Sequence, residues 1–219
     1  MRGRNQADSV SHFGTFRPTR RNAIQQAMTR EPTEINDIDL LQRALAGDEE
    51  SFTTLYRRRQ GFVYRFALQM SGRRSIAEEV TQEVFMAMIR EAGRFDPGRG
   101  SLMAYLYGIA RNHVLRCLER DRLYVSMADE PDGESAQWTA KEDTLGDLTR
   151  GETIESVRQA VLALPSNFRE VVLLCDLHEM SYVDAAAALD CAVGTVRSRL
   201  HRARGMLLEK MKAGKRACA

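Results

Sequence analysis

Apolar residues recur every three or four positions along most of the chain, which is the spacing of one buried face on an α-helix. One such series runs through Phe52, Leu55, Tyr56, Val63, Phe66 and Met70. The alternation of apolar and polar residues that is typical of a β-strand does not persist anywhere. The pattern therefore predicts an all-α fold, with helices near residues 38–45, 52–70, 76–89, 102–118, 154–164, 168–175 and 181–189, and a last helix from Val193.

Capping residues and turn residues mark where these helices begin and end. The sequence Asp96-Pro97-Gly98 predicts a tight turn, because proline presets φ and glycine accepts a positive φ. Caps are expected at Asp37, at Ser75 in a capping box with Glu78, at Ser101, at Ser181, and at Ser166 or Asn167 after Pro165.

Changes in charge and periodicity divide the chain into two small helical domains and three other segments. Residues 1–33 form a basic tail with sparse apolar residues, and residues 123–149 form an acidic segment with the composition of a flexible linker. The helical domains are expected at residues 34–122 and 150–213, followed by a short tail at 214–219.

The composition is ordinary for a globular protein and excludes several functional classes. Of the 219 residues, 28% are charged and 43% are hydrophobic, and the net charge is +2. No stretch approaches the roughly 20 apolar residues of a membrane span, so a cytoplasmic location is expected. The four cysteines form no CxxC pair and only four histidines are present, so neither a metal site nor a cofactor is predicted.

The segment from Ser181 to Arg204 has the pattern of a helix-turn-helix, in which the second helix enters the major groove of DNA. Eight Lys or Arg residues and one acid lie between Arg197 and Arg216, and such a concentration favours contact with phosphates. The alternative is a solvated basic helix. Val196, Leu200 and Ala203 are expected to face the core, which leaves the opposite face to Arg197, Ser198, His201 and Arg202, with Arg199 and Arg204 beside it.

The run Val193–Arg204, together with Leu164–Val172 and Leu177–Tyr182, resembles the sigma-4 domain of extracytoplasmic-function (ECF) sigma factors. One departure is Ala185–Ala188, where the family more often has a larger aliphatic residue, and this predicts looser packing. The resemblance implies that the domain binds the −35 promoter element through Thr195, Arg197, Ser198, Arg199, His201, Arg202 and Arg204.

The segment Ala77–Phe85 resembles the sigma-2 helix that docks on the clamp of the polymerase β′ subunit, although the family usually has Asp at position 79. Acidic and amide side chains one turn apart form a patch that suits a basic partner helix. The alternative is an ordinary solvated acidic face. The resemblance implies that core polymerase contacts Glu79, Gln82, Glu83 and Phe85.

The segments Phe95–Ser101 and Tyr105–Asn112 resemble the loop and helix with which the family opens the −10 element. A flipped base can be held by aromatic stacking and by hydrogen bonds to an amide. For the tyrosines, core packing is the alternative role. The predicted −10 residues are Phe95, Tyr105, Tyr107 and Asn112, with Arg111 and Arg116 as phosphate contacts.

The resemblance as a whole implies a group IV sigma factor, which is not an enzyme and leaves catalysis to RNA polymerase. Its implied partners are core polymerase, through β′ and β, promoter DNA and an anti-sigma factor. Two alternatives are a sigma-like decoy that sequesters an anti-sigma factor and a stand-alone helix-turn-helix repressor. No Gly-rich phosphate loop or nucleophile–base signature supports an enzyme.

Overall fold

The computed structural model describes residues 35–91, 94–125 and 147–217, and in these ranges it contains helices and no β-strand. This confirms the predicted all-α fold. The predicted basic tail at 1–33, most of the acidic linker and the last two residues lie outside the described ranges. Within the part of the chain that is described, no helix is long and apolar enough to cross a bilayer.

Residues 35–125, here called the N-terminal half, contain four α-helices. Their buried faces share one core, in which Leu55, Phe66 and Leu106 are completely inaccessible to solvent. The helices are α1 (Asp37–Leu45), α2 (Glu49–Ser71), α3 (Arg74–Arg90) and α4 (Leu102–Val125).

The ends of α1 and α2 are set by local hydrogen bonds. Asp48 caps α2 by accepting hydrogen bonds from the backbone N–H groups of Glu50 and Ser51. Gly72 ends α2 in the left-handed conformation, with φ of 74°. The predicted cap of α1 was wrong by one residue.

Asn36 caps α1, because its side-chain oxygen accepts from the backbone N–H of Ile38 at 2.7 Å. Asp37 is already helical, and its carboxylate pairs with Arg58 and Arg59 of α2. The residue predicted as a cap therefore ties α1 to α2 through two ion pairs.

The predicted capping box at Ser75 and Glu78 does not form. Helix α3 begins at Arg74, after Arg73, which makes no side-chain capping bond. Ser75 thus lies inside the first turn, and the Glu78 carboxylate accepts from the Arg74 guanidinium at 3.0 Å instead. In contrast, the predicted cap of α4 is confirmed, since Ser101 Oγ accepts from the Ala104 N–H at 3.2 Å.

The C-terminal half, residues 147–217, is a second group of helices. Pro165 lies at the N-cap position of the second of them without a side-chain capping bond, so the predicted cap at Ser166 or Asn167 was wrong. The elements are α5 (Asp147–Leu162), α6 (Ser166–Val172), a π-helical turn (Leu173–Leu177), α7 (Tyr182–Leu189) and α8 (Val193–Ala217).

The two halves pack directly on each other, with α7 lying against α4. A Cβ atom added to Gly108 of α4 would stand 3.2 Å from the carbonyl oxygen of Ala188. Ala185, Ala186 and Ala188 are all buried. The expectation of looser packing at the four alanines was therefore wrong, because their small side chains allow the two helix backbones to approach closely.

We expect Leu106→Ala to destabilise the fold, since Leu106 of α4 is fully buried in the hydrophobic core. Truncation of a buried leucine leaves a cavity and costs about 2–5 kcal/mol. Urea denaturation followed by circular dichroism measures the loss. Leu208→Ala, at a residue that is 55% exposed, is the control and should change the free energy of unfolding by less than about 0.5 kcal/mol. Equal effects of the two substitutions would contradict the assignment of the core.

Candidate nucleic-acid interface

The helix-turn-helix predicted from the sequence is present. Ser181 caps α7 by accepting a hydrogen bond from the backbone N–H of Asp184 at 3.0 Å. Asp190 adopts the left-handed conformation, with φ of 48°, and the chain turns there into α8. Such a tight turn between two helices fixes the angle at which the second helix is presented.

The faces of α8 are divided as the periodicity predicted. Val196, Leu200 and Ala203 are buried against the rest of the C-terminal half. The guanidinium of Arg197 lies 5.9 Å from the ring centroid of Tyr182, an arrangement that restricts the side chain without neutralising it. The outward face, here called the recognition face, carries the exposed residues Arg197, Ser198, His201 and Arg202.

Two other predicted −35 residues, Arg199 and Arg204, are ion-paired within the protein, and Thr195 contributes only its backbone oxygen to an internal hydrogen bond. Arg204 pairs with Asp176 at 2.6 Å, and these hydrogen bonds raise the pKa of Arg204. Arg199 Nη1 lies 3.4 Å from the Glu170 carboxylate. The backbone oxygen of Thr195 accepts from the Ser198 hydroxyl at 3.0 Å. Arg199 and Arg204 therefore anchor α8 to α6 and to the π-helical turn, and they do not extend freely from the recognition face.

Three of the predicted −10 residues come together in one groove. The rings of Phe95 and Tyr105 lie 5.5 Å apart, and Asn112 is exposed on α4 farther along the same groove. Arg116 is also exposed, and its Nε donates to the backbone oxygen of Asn112 at 3.3 Å. The groove thus offers aromatic surface, an amide and a nearby cation, which is the set of groups that an unpaired base and its phosphate require.

The other two predicted −10 residues, Tyr107 and Arg111, are covered. Tyr107 is 2% exposed and its hydroxyl lies 2.8 Å from His178 Nδ1. Burial raises the pKa of Tyr107 to about 12. Arg111 Nε donates to Glu170 at 2.6 Å. In this arrangement the C-terminal half covers Tyr107, for which core packing was the alternative role, and pairs with the half-buried Arg111.

These contacts belong to the intramolecular interface, by which we mean the polar contacts that join the two halves. The His178 ring lies between Tyr107 and Gln69, with Nε2 at 2.8 Å from Gln69 Oε1. At one end, the Ser101 N–H donates to the Asp184 carboxylate at 3.0 Å. At the other end, the Arg169 guanidinium donates to the Met70 carbonyl oxygen of α2.

The three polar residues of the predicted polymerase patch are accessible to solvent, but two of them are ion-paired within the protein. Gln82 is exposed on α3 and lines a groove between α2 and α3 together with Tyr56 and Tyr64. Glu79 accepts two hydrogen bonds from Arg120, at 3.1 and 3.3 Å, and these lower the pKa of Glu79. Glu83 lies 3.3 Å from Arg90.

Phe85 does not belong to this patch. It is 2% exposed and packs edge-on against Tyr56 with ring centroids 4.8 Å apart. Its predicted surface role was wrong, because the 3.6-residue period turns position 85 toward the core with Val84 and Met88. Tyr56 and Tyr64, neither of which was predicted as a polymerase contact, supply the aromatic surface of the groove that Gln82 lines.

Sequence comparison identifies two regions of this chain. Residues 55–123 match the model of sigma-70 region 2, and residues 154–207 match that of sigma-70 region 4. The ECF RNA polymerase sigma factor SigE of Mycolicibacterium smegmatis is 33% identical over 159 residues, which are 72% of this chain and 60% of that protein. The ECF sigma factor EcfG of Rhodopseudomonas palustris is 35% identical over 142 residues, 65% of this chain and 75% of that protein.

Two solved structures are similar in fold. The sigma factor RpoE of Bartonella quintana, in complex with the anti-sigma factor NepR, has a TM-score of 0.58 at 30% identity. That match covers 70% of this chain and 91% of the other. CnrH, in complex with the cytosolic domain of CnrY, has a TM-score of 0.59 at 25% identity and covers 81% and 97% of the two chains.

We expect the interface histidine to make stability depend on pH. Burial, and then the charge of Arg65, lower the pKa of His178 from 6.5 to about 4. Above pH 6.5 the ring is neutral in both the folded and the unfolded chain. Between pH 6.5 and 4 only the unfolded chain binds the proton, so stability falls as the pH falls. From pH 7.5 to 5.5 the wild type should lose roughly 1 kcal/mol more than His178→Gln.

Urea titrations at the two pH values measure this difference. Because His113 and the carboxylates are the same in both proteins, the comparison isolates the His178 contribution. Parallel pH profiles would mean that the ring is not buried as described.

Proposed function

This chain belongs to the extracytoplasmic-function (ECF) sigma factors of the sigma-70 family, and on that premise we propose that it binds core RNA polymerase and directs it to a specific set of promoters. The observation that supports the proposal is that one chain carries two different surfaces suited to nucleic acid. One is the recognition face of α8. The other is the aromatic and amide groove around Asn112.

The recognition face is suited to duplex DNA at the −35 element. Arg197 and Arg202 are exposed on it, and a guanidinium can bind the O6 and N7 atoms of guanine with two hydrogen bonds. Ser198 and His201 add shorter hydrogen-bonding groups between them. The exposed lysines farther along α8, such as Lys210 and Lys212, extend the positive charge toward the phosphate backbone.

The groove around Asn112, which α7 of the C-terminal half also lines, carries groups suited to an unpaired strand at the −10 element. Taking a base out of the stack costs a few kcal/mol. Stacking on aromatic side chains contributes about 1–3 kcal/mol per base. Phe95 and Tyr105 offer that surface, and Asn112 can form hydrogen bonds with the edge of a flipped base. Arg116 lies beside it as a phosphate contact.

The proposed contact with core polymerase is the groove between α2 and α3. Its lining combines the amide of Gln82 with the aromatic rings of Tyr56 and Tyr64, and the carboxylates of Glu79 and Glu83 lie on the same helix as Gln82. A helix of the β′ clamp with basic and apolar side chains would complement this surface. The C-terminal half would contact the β subunit.

The domain limits at 34–122 and 150–213, with the linker at 123–149, remain part of the proposal. A linker of about 30 residues reaches up to roughly 100 Å when extended. It can thus bridge two promoter elements one or two duplex turns apart, at about 34–36 Å per turn. With both surfaces on one chain, binding of the first element raises the effective concentration at the second.

An anti-sigma factor is the proposed regulator. One structurally similar protein, the sigma factor RpoE, was solved with the anti-sigma factor NepR, and another, CnrH, was solved with the cytosolic domain of CnrY. We further propose that the chain acts in the cytoplasm, that it carries no cofactor or metal of its own, and that polymerase performs all catalysis.

Transcription with purified core polymerase, followed by genome-wide mapping of transcript starts, tests the function. A chain that yields no transcript but binds an anti-sigma factor would be a decoy, and one that binds duplex DNA tightly without polymerase would be a repressor.

We expect Arg197→Ala to weaken recognition of the −35 element. Loss of a bidentate contact to guanine costs about 1–3 kcal/mol and relaxes specificity at that base pair. Equilibrium binding of the reconstituted holoenzyme to a mapped promoter, and to the same promoter with a substituted −35 element, measures both effects. Lys212→Ala, farther along α8, should weaken both complexes equally. If Arg197→Ala leaves the preference between the two promoters unchanged, the assignment fails.

We expect Asn112→Ala to impair promoter opening more than duplex binding, because the amide would contact only a base that has left the stack. Permanganate footprinting of unpaired thymines at a mapped promoter reports the opening. Asn167→Ala, an exposed asparagine of the C-terminal half, is the matched control. Normal permanganate reactivity with Asn112→Ala would contradict this role.

A further inference from the structure

The intramolecular interface covers part of the surface that the proposed function assigns to the −10 strand. Tyr107 is 2% exposed beneath His178. The side chain of Arg111 retains 24% of its accessible surface. Asn112, the next residue, remains exposed. The −10 surface is thus divided into an open part and a part that the C-terminal half occupies.

Glu170 holds Arg111, which belongs to the covered part of the −10 surface, against the C-terminal half. Its side chain is 1% exposed, and it accepts hydrogen bonds from Arg111 Nε at 2.6 Å and from Arg199 Nη1 at 3.4 Å. Removing a carboxylate from water is costly unless it is paired. One buried carboxylate therefore engages one arginine from each half, and each of these arginines is a predicted DNA contact.

The two halves are in close contact where α7 meets α4, and the groove around Asn112 lies beside this contact and is lined by both halves. Helix α7 lies so close to α4 that a Cβ atom on Gly108 would stand 3.2 Å from the Ala188 oxygen. A Cβ atom on Gly100 would stand 3.1 Å from that of Ala187. Promoter elements one or two turns apart are separated by at least about 34 Å along the duplex. Binding to both elements thus requires the halves to separate.

We propose that Glu170 competes with promoter DNA for Arg111, so that the chain without DNA is held in a closed, self-inhibited form. The inference rests on the proposed function. In the open form a DNA phosphate replaces the carboxylate on Arg111, while Glu170 keeps its pair with Arg199 inside the C-terminal half. The recognition face is exposed in the closed form, so self-inhibition acts on the −10 surface and leaves the −35 surface accessible.

The size of the effect follows from the population of the open form. The apparent affinity for promoter is the affinity of the open form multiplied by the fraction of the chain that is open. A closed form favoured about tenfold therefore raises the half-saturating concentration about tenfold. A variant that opens the interface and changes nothing else should lower the half-saturating concentration by the same factor of about ten.

Two variants open the interface in different ways. Glu170→Gln removes the charge that attracts Arg111. Gly108→Leu leaves every charge in place, but its side chain would collide with the backbone of α7 at Ala188. As a matched control, Glu155→Gln removes the ion pair with Arg158, and both of those residues lie on α5.

Two measurements on the full chain test the proposal. Small-angle X-ray scattering gives the radius of gyration of the free protein, and titration of core polymerase plus a mapped promoter gives the half-saturating concentration. We expect both interface variants to have a larger radius of gyration than the wild type and a half-saturating concentration about tenfold lower. The control should match the wild type in both measurements. Circular dichroism verifies folding, and Gly108→Leu alone carries the test if Glu170→Gln fails to fold.

The outcomes separate this inference from the proposed function. An expanded Gly108→Leu chain with an unchanged half-saturating concentration would overturn self-inhibition, while the sigma-factor function would stand. A folded Gly108→Leu chain that does not expand would show that the halves are already apart, which also overturns it. If the wild type forms no promoter complex with polymerase at any concentration, the proposed function itself fails, and self-inhibition fails with it.

Discussion

The pairing of one buried carboxylate, Glu170, with two arginines is the interaction on which the arrangement of this protein depends. An isolated charge in the interior would be costly, so at least one of the two arginines must stay with it. Arg199 lies in the same half as Glu170, on α8, and can remain there when the halves move apart. Arg111 lies in the other half. The fold therefore allows both a packed and a separated arrangement without leaving the carboxylate unpaired.

The sequence predicted the helices well where their limits are set by nearby residues. The extent of α7 and the start of α8 follow from Ser181 and from the turn at Asp190, because both act within four residues. Capping patterns alone were less reliable. The Ser75–Glu78 spacing also fits inside a first turn, and the residue that begins α3 is Arg74, which the pattern did not mark. A capping box requires non-helical backbone at its serine, and local sequence does not specify that.

The residues of the candidate site were likewise predictable only where nearby residues determine their exposure. The recognition face was predictable, since exposure of Arg197 and Arg202 follows from burial of the opposite side of one helix. The covering of Tyr107 and Arg111 was not, because their partners are 71 and 59 residues away along the chain. Periodicity assigns a residue to a helix face, but it does not tell which other helix will pack there.

The small residues of α4 and α7 suggest why an ion pair is suited to control this interface. Gly108 and Ala188 bring two backbones into contact, and the resulting fit depends on shape, which ionic strength barely changes. The pair between Arg111 and Glu170 responds instead to other anions, and two oxygens of a DNA phosphate can accept a pair of hydrogen bonds from a guanidinium as a carboxylate does. Steric fit thus fixes how the halves meet. Because Arg111 can bind either Glu170 or a DNA phosphate, the DNA strand that the −10 surface binds can reverse that contact.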